Sequence, residues 1–514
     1  MTATPPSRFR FAPFERWIAA LLDPQRQERT VLLTLAVYTA VWTAYRTIST
    51  WPRDLHPDET ELYDWSRHLA FGNAKHPPLS GWITKVWFTL VPVSDIGFHL
   101  LATVNIALTL WIAWRTMRRY MNAEKSLFGL ALLTLIPFFN FLALKYNANA
   151  VLLPVWAATI YCFLRALESP GALWGALAGL FAGASMLGKY WSIVLVGALG
   201  LAALFDPRRG RFFASPAPWL MIIAGGAVLA PHLVWLYDHN FPTFGYAAAH
   251  ESSGFAANAR DTATYLLGSI GYAAAAVIAW AVLLRPSRPA LADLIWPLDA
   301  PRRTVLIAQV LMVLLPMAVA LISGIRIVPL WTMPGWTLLP LLLLTSPLIS
   351  VSRDTVRSIM AVAAVVSVGA LLASPIVALA IHLREPPGPA EYASLLADRI
   401  EQEWRTHTDQ PIALVAGEPA LAGGTAYYLR TDTRAFAGGD STTLAAEITT
   451  RGGVLVCPAE DGGCVARADQ IAAGQNPILR GQVWLSRPLF GLAGATRRDI
   501  YVLVLPKPKP SPTR

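Results

Sequence analysis

Apolar positions in this chain fall into runs of bilayer-crossing length, separated by short polar breaks. Eleven runs are read as transmembrane helices: 30–48, 96–114, 126–142, 148–164, 172–187, 191–204, 218–237, 262–284, 304–322, 335–348 and 355–380. A helix needs about 20 apolar residues to cross the hydrocarbon core. Inside it, only a helix or a closed barrel satisfies its own backbone. The run at 335–348 is the shortest of the later ones and has the least defined ends. Two further segments are amphipathic and too short to cross. FAPFERWIAALL near the start and the stretch 80–93 are expected to lie at the membrane interface, the latter with Trp82 and Trp87 as anchors. From 382 onward the pattern changes. A Pro-rich linker precedes an amphipathic helix over 390–408. Strand-like runs follow at 411–417, 452–458, 482–487 and 501–507, and 425–430 reads as helix or strand. This mixture predicts a small α/β domain of roughly 120 residues. The expected organisation is therefore a terminal segment 1–29, a transmembrane domain 30–380 that includes the polar loop 49–94, and a C-terminal domain 381–514.

Composition agrees with the pattern. Of 514 residues, 54% are hydrophobic and only 14% are charged, against about a quarter in soluble domains. A large soluble protein is thereby excluded. The formal net charge of +10 does not point to nucleic acid, because the basic residues cluster in short loops between runs. The loops beginning at Arg115, Arg165, Asp206, Arg285 and Ser350 all carry arginine, as cytoplasmic loops do. That alternation puts the acidic loop, the turns at Lys145 and Lys189, the loop after Tyr237, the turn 323–334 and everything after 381 outside. The first 29 residues lack the apolar core of a cleavable leader, so the first run is expected to stay as an anchor. Of the three cysteines, Cys457 and Cys464 flank a Glu-Asp-Gly-Gly turn in the outer domain and are expected to form a local disulfide.

The chemistry concentrates in 54–79, DLHPDETELYDWSRHLAFGNAKHPPL. Adjacent acids on an outer loop are ordinarily solvated surface. Here Asp58 and Glu59 stand beside a membrane boundary with His56 and His76 nearby. A carboxylate in such a place suits a general base, since partial burial lifts its pKa towards a useful value. Cations available outside are Lys75, Lys85, Lys145, Lys189 and Arg326, which would otherwise be interfacial side chains snorkelling to water. Trp82, Trp87, Trp331 and Trp336 read as belt anchors.

DETELY (58–63), HPPL (76–79) and the Gly-x4-Gly-Lys that ends at Lys189 together resemble the family 39 glycosyltransferases of bacteria. That family includes protein mannosyltransferases and lipid A aminoarabinose transferases, all of the polytopic GT-C fold. The resemblance covers about residues 30–350. It implies transfer of a sugar from a polyprenyl-phosphate carrier to a lipid, glycan or protein acceptor outside the bacterial cytoplasmic (inner) membrane. By the same resemblance Asp58 is the catalytic base and Glu59 its support. Lys189 contacts donor phosphate, although the Thr common before it is Gly188 here. Arg326, Lys145, Lys85 and Lys75 are further phosphate candidates, expected at the same membrane surface as the acidic loop. His76, Tyr146, Asn147, Tyr246, His250 and Glu251 are candidates for the acceptor or for a mobile cover. A divalent cation is the one cofactor left open, with His56 and His76 as its candidate ligands. A uronic acid donor would call for an extra cation, for which Arg326 or Arg260 would serve. The C-terminal domain carries no alignable motif, so the acceptor is not implied. Two other functions compete. A transporter or flippase of lipid-linked sugars would show paired inverted repeats and mid-membrane ionisable residues, and neither is evident. A non-catalytic envelope assembly protein would have no use for the Asp58-Glu59 pair.

Overall fold

The computed structural model describes residues 12–248, 254–384, 388–429, 432–436, 441–473 and 478–506. Each of the eleven apolar runs contains helix. Among the described residues, six helices are long and apolar enough to cross a membrane: Gln27–Ser49, Asp95–Tyr120, Ala217–Asp238, Phe255–Leu284, Ala300–Ser323 and Arg353–His382. The other five runs are shorter or broken, and proline explains two of them. The third run forms an α-helix only over Ala123–Leu133, then passes Pro137 as two 3-10 turns. The tenth, with Pro329, Pro334 and Pro340, is a 3-10 helix over Pro329–Leu338 and α-helical only over Leu339–Leu344. Pro334 lies inside its helix and removes a backbone donor, while Pro137, Pro329 and Pro340 stand in the first turn of theirs, where the chain starts a new helical segment. The interfacial segments are the helices Ala12–Leu22 and Leu79–Leu90.

The chain divides into two compact units. The first comprises Met1–Thr43, Ala70–Ser80 and His99–Leu371. Its long helices expose large apolar side chains, such as Trp219, Ile222, Leu267, Ile278, Ile322 and Val365. Surfaces so apolar are stable against lipid rather than water. The closest helix pair in this unit is Ala172–Gly188 against Ala217–Asp238. A Cβ at Gly175 would lie 2.3 Å from the Ala217 carbonyl oxygen, and one at Gly179 would lie 2.1 Å from that of Met221. Glycines four residues apart therefore let the two backbones touch, which is how helices associate where no hydrophobic force drives them. The helix Leu152–Glu168 is buried along most of its length, including Trp156 and Phe163.

The second unit comprises Ala44–Leu69, Gly81–Phe98 and Leu372–Arg514. It holds a five-stranded sheet. The strands are β1 (Leu414–Gly417), β2 (Arg434–Ala435), β3 (Gly453–Pro458), β4 (Ile478–Leu485) and β5 (Arg497–Val504), in the order β2-β1-β3-β5-β4. β1 pairs in parallel with β2 and β3, and β5 runs antiparallel to both β3 and β4. The four strand-like runs correspond to β1, β3, β4 and β5. Residues 425–430 fall largely within the helix Pro419–Tyr428. The helix expected over 390–408 is a 3-10 turn Pro389–Tyr392 followed by Ala393–Arg405. Cys457 and Cys464 are joined in a disulfide. These units cut across the expected boundary at 380, for most of the outer loop groups with the C-terminal tail. The reason is polar. Asp54, whose side chain is only 4% exposed, accepts from the Ser394 backbone N–H at 2.7 Å, the Ser394 hydroxyl at 2.9 Å and the Arg487 guanidinium at 2.7 Å. A buried carboxylate is held this way or not at all.

Candidate functional site

The acidic pair opens the helix Pro57–Arg67 of the second unit. Pro57 is pre-set for the first helical turn, and two acids at the helix N-terminus complement its dipole. His56 is the N-cap. Its Nδ1 accepts from the Asp58 backbone N–H at 3.1 Å, and Glu59 Oε2 reciprocally accepts from the His56 backbone N–H at 3.2 Å. This is a capping box with histidine in the place usually taken by serine or threonine.

The two acids then part company. Glu59 is fully buried, and its carboxylate lies 3.6 Å from the Arg46 guanidinium at the end of Gln27–Ser49. Asp58 keeps about a third of its side chain exposed, 3.7 Å from the His56 ring. Around them the helix is fixed to the C-terminal tail. Tyr63 meets Tyr427 edge-on at 5.2 Å. The Tyr428 hydroxyl accepts from the Leu55 N–H at 3.0 Å and donates to Asp95 at 2.8 Å. Arg67 donates to the Thr433 carbonyl and pairs with Asp432. Burial pushes the Asp64 carboxyl up, against the Ala435 N–H and the charge of Arg67, which pull it down. Asp54, Asp64 and Arg67 therefore serve to fix this segment to the tail. Of the pair, Asp58 is the more exposed carboxylate.

The cations Lys75, Lys145, Lys189 and Arg326 belong to the first unit, and Lys85 to the second. Lys189 is the C-cap of Ala172–Gly188. Its ammonium donates to Asn149 Oδ1 at 2.8 Å and sits 4.3 Å from the centre of the Trp331 ring. Trp331 in turn meets Trp191 edge-on and accepts its indole N–H at the backbone carbonyl. Trp331, read as a belt anchor, lies under this ammonium. At Gly188, where the family pattern has Thr, an added Cβ would lie 2.7 Å from Leu152 Cδ2, the end of a flexible side chain.

Beside Lys189, the Tyr190 hydroxyl is bonded to His232 Nε2 at 2.6 Å and Thr243 at 3.1 Å. His232 Nδ1 donates to the Phe71 carbonyl at 2.6 Å. Gly72 packs so closely on Trp235 that a Cβ would overlap the indole. The HPPL loop is thus pinned to the Ala217–Asp238 helix two ways. Tyr190 and His232 were not candidates from sequence. The only signal was a histidine inside an otherwise apolar run.

The remaining candidates are placed as follows. Arg326, a phosphate candidate from sequence, is two-thirds exposed and pairs with Asp261 at 3.4 Å. Lys85 is exposed, while Lys75, Lys145 and His76 are half-buried. Tyr146 is fully buried. Asn147 accepts from the Asn149 and Ala150 N–H groups at 3.0 and 3.1 Å, which caps the turn leading into Leu152–Glu168 and ties up its side-chain oxygen. Tyr246 lies in the helix Pro242–Ala248. His250 and Glu251 lie outside the described residues. Among the described residues, no three His, Cys, Asp or Glu side chains group as metal ligands. His56 and His76 fall in separate units.

Three comparisons bear on this arrangement. The family described as dolichyl-phosphate-mannose-protein mannosyltransferase matches residues 75–235. The chain is 28% identical over 275 residues to the lipopolysaccharide core galacturonosyltransferase RgtB of Rhizobium johnstonii, covering 51% of this chain and 54% of that protein. It is 26% identical over 273 residues to RgtA of the same organism, covering 51% and 53%. It thus matches about half the length of these curated relatives. Among solved structures, ArnT from Cupriavidus metallidurans bound to undecaprenyl phosphate superposes with a TM-score of 0.63 at 15% identity, over 93% of this chain and 98% of that one. The apo form of ArnT gives 0.62 at 16%, over 93% and 99%. These matches bear out the resemblance to GT-C glycosyltransferases, and the fold is the polytopic GT-C fold.

Proposed function

We propose that this membrane protein is a glycosyltransferase that moves a sugar from a polyprenyl-phosphate carrier to a lipid-linked glycan on the outer side of the inner membrane. The observation that carries the reading is the division between Asp58 and Glu59. One carboxylate is buried against Arg46 and locked into a helix cap, and the other keeps about a third of its side chain exposed at the same helix end. The relatives RgtB and RgtA are galacturonosyltransferases by name, and the ArnT structure holds undecaprenyl phosphate. We therefore take the sugar to be a hexuronic acid and the carrier a polyprenyl phosphate.

Asp58 accepts the proton of the acceptor hydroxyl as its oxygen attacks the anomeric carbon. The bond from that carbon to the phosphate oxygen breaks, and the polyprenyl phosphate leaves with the electron pair. Lys189, held between Asn149 and Trp331, exchanges those partners for the phosphate and offsets its growing charge. Lys145, Lys85 and Lys75 are secondary candidates for that role. Arg326 or Arg260 faces the uronate carboxylate.

The test uses purified protein, radiolabelled polyprenyl-phosphate hexuronic acid and lipopolysaccharide core as acceptor. Label should pass to the core. Asp58→Asn should slow transfer by about 10²–10⁴-fold, the usual worth of a positioned base, with donor binding unchanged. Lys189→Met should instead weaken donor binding. Full activity in Asp58→Asn, or movement of the carrier across the membrane without transfer, would sink the proposal.

A further inference from the structure

The link between β4 and β5 carries a tight two-residue turn. Leu489 and Leu492 exchange backbone hydrogen bonds of 3.0 and 2.9 Å around Phe490 and Gly491. Both central residues are left-handed, with φ of 50° and 79°. Turns of this hand favour Asn-Gly, because both central residues need positive φ. A bulky side chain in the first position is uncommon. The local sequence has therefore accepted an unfavourable backbone to put a phenyl ring at the tip, and the fold does not use that ring. Phe490 is 70% exposed, Leu492 is 47% exposed, and Leu489 between them and the core is buried.

The position of the tip supplies the explanation. Leu492 accepts at its carbonyl from His382 Nε2 at 3.3 Å, and a Cβ at Gly494 would lie 2.6 Å from His382 Cε1. His382 is the last residue of the membrane-crossing helix Arg353–His382. On that helix the final turns expose Leu372 and Ile376 at 74% and 71%, and Leu383 follows at 61%. The next residue, exposed Arg384, is placed at the level of lipid headgroups. The turn thus continues an apolar surface that already faces hydrocarbon, at the point where the helix leaves it.

We propose that the Leu489–Leu492 turn is a membrane anchor. Phe490 and Leu492 insert into the acyl region beside the end of Arg353–His382 and hold the C-terminal sheet at the bilayer surface. The occupant of this face is lipid, not a second copy of the chain.

A nitroxide on Phe490→Cys, in a Cys162→Ala background with the Cys457–Cys464 bond intact, tests this in proteoliposomes. By power-saturation spin resonance the label should be more accessible to oxygen than to a water-soluble nickel chelate. A reference label on Arg467→Cys, at an exposed position of the helix Gly462–Ala472, should show the reverse. Equal nickel access at both sites would overturn the proposal. So would shielding of residue 490 from both reagents, which would mean protein covers it. Phe490→Asn suits the turn and should fold at least as well, yet it should raise nickel access at a Leu492→Cys label several-fold. An unchanged value there would also overturn it.

Discussion

Asp58 and Glu59 are neighbours in sequence with opposite environments, and the difference separates their phenotypes. Glu59→Gln keeps the capping geometry, because an amide oxygen still accepts from the His56 N–H. It removes the charge facing Arg46, an arginine whose side chain is only one-fifth exposed. We expect a loss of about 1–3 kcal/mol, since a largely buried cation is left uncompensated. Thermal unfolding in detergent should therefore fall for Glu59→Gln and stay near wild type for Asp58→Asn. Equal melting of the two would contradict the division. The pair itself was legible in the sequence as a motif, but the division was not. Arg46 sits at the end of an apolar run and reads as a boundary residue. Tyr190 and His232 were hidden for a related reason. Their hydrogen bonds join residues 42 and 161 positions apart in the chain, and no local pattern announces such pairs. Lys189 was legible as a cation, while its partners Asn149 and Trp331 were not.

At the scale of elements, the hydrophobic pattern found helix in all eleven runs, and five of them are shorter or broken. Prolines at 137, 329, 334 and 340 turn two into 3-10 segments, and the residues for this were in plain view. In the outer domain, β2 was too short to register at two residues. The helices Ser441–Arg451 and Gly462–Ala472 lack a long apolar face. The contact with most consequence for the site is Ala172–Gly188 on Ala217–Asp238, because the first helix ends at Lys189 and the second carries His232. Gly179→Val should prop the backbones apart at Met221 and lower both the yield of folded protein and donor binding. Gly226→Ala, where an added Cβ meets nothing within 4 Å, should leave both unchanged. Comparing the two by size-exclusion profile and donor titration checks the claim, and a tolerant Gly179 would refute it.

For the whole molecule, the alternation of basic loops predicts that the chain starts inside and ends outside, where a disulfide persists. Alkaline phosphatase fused after residue 506 should be active in intact bacteria, and Cys457 should resist alkylation until reduced. An inactive fusion would reverse the orientation. Closing so short a loop is worth about 2–3 kcal/mol in the chain-entropy account, so reduction should lower the melting of the C-terminal sheet without unfolding the apolar helices. Asp54 belongs to this scale too, through time rather than geometry. Its partners Ser394 and Arg487 lie 340 and 433 residues further along the chain. At about 5–20 residues per second, a ribosome needs roughly 20–90 s to supply the second of them. For that interval the loop bearing Asp58 lacks the two partners that hold Asp54. A chain that stalls before the tail is made lacks these contacts, so on the proposed function incomplete copies of this protein should be inert.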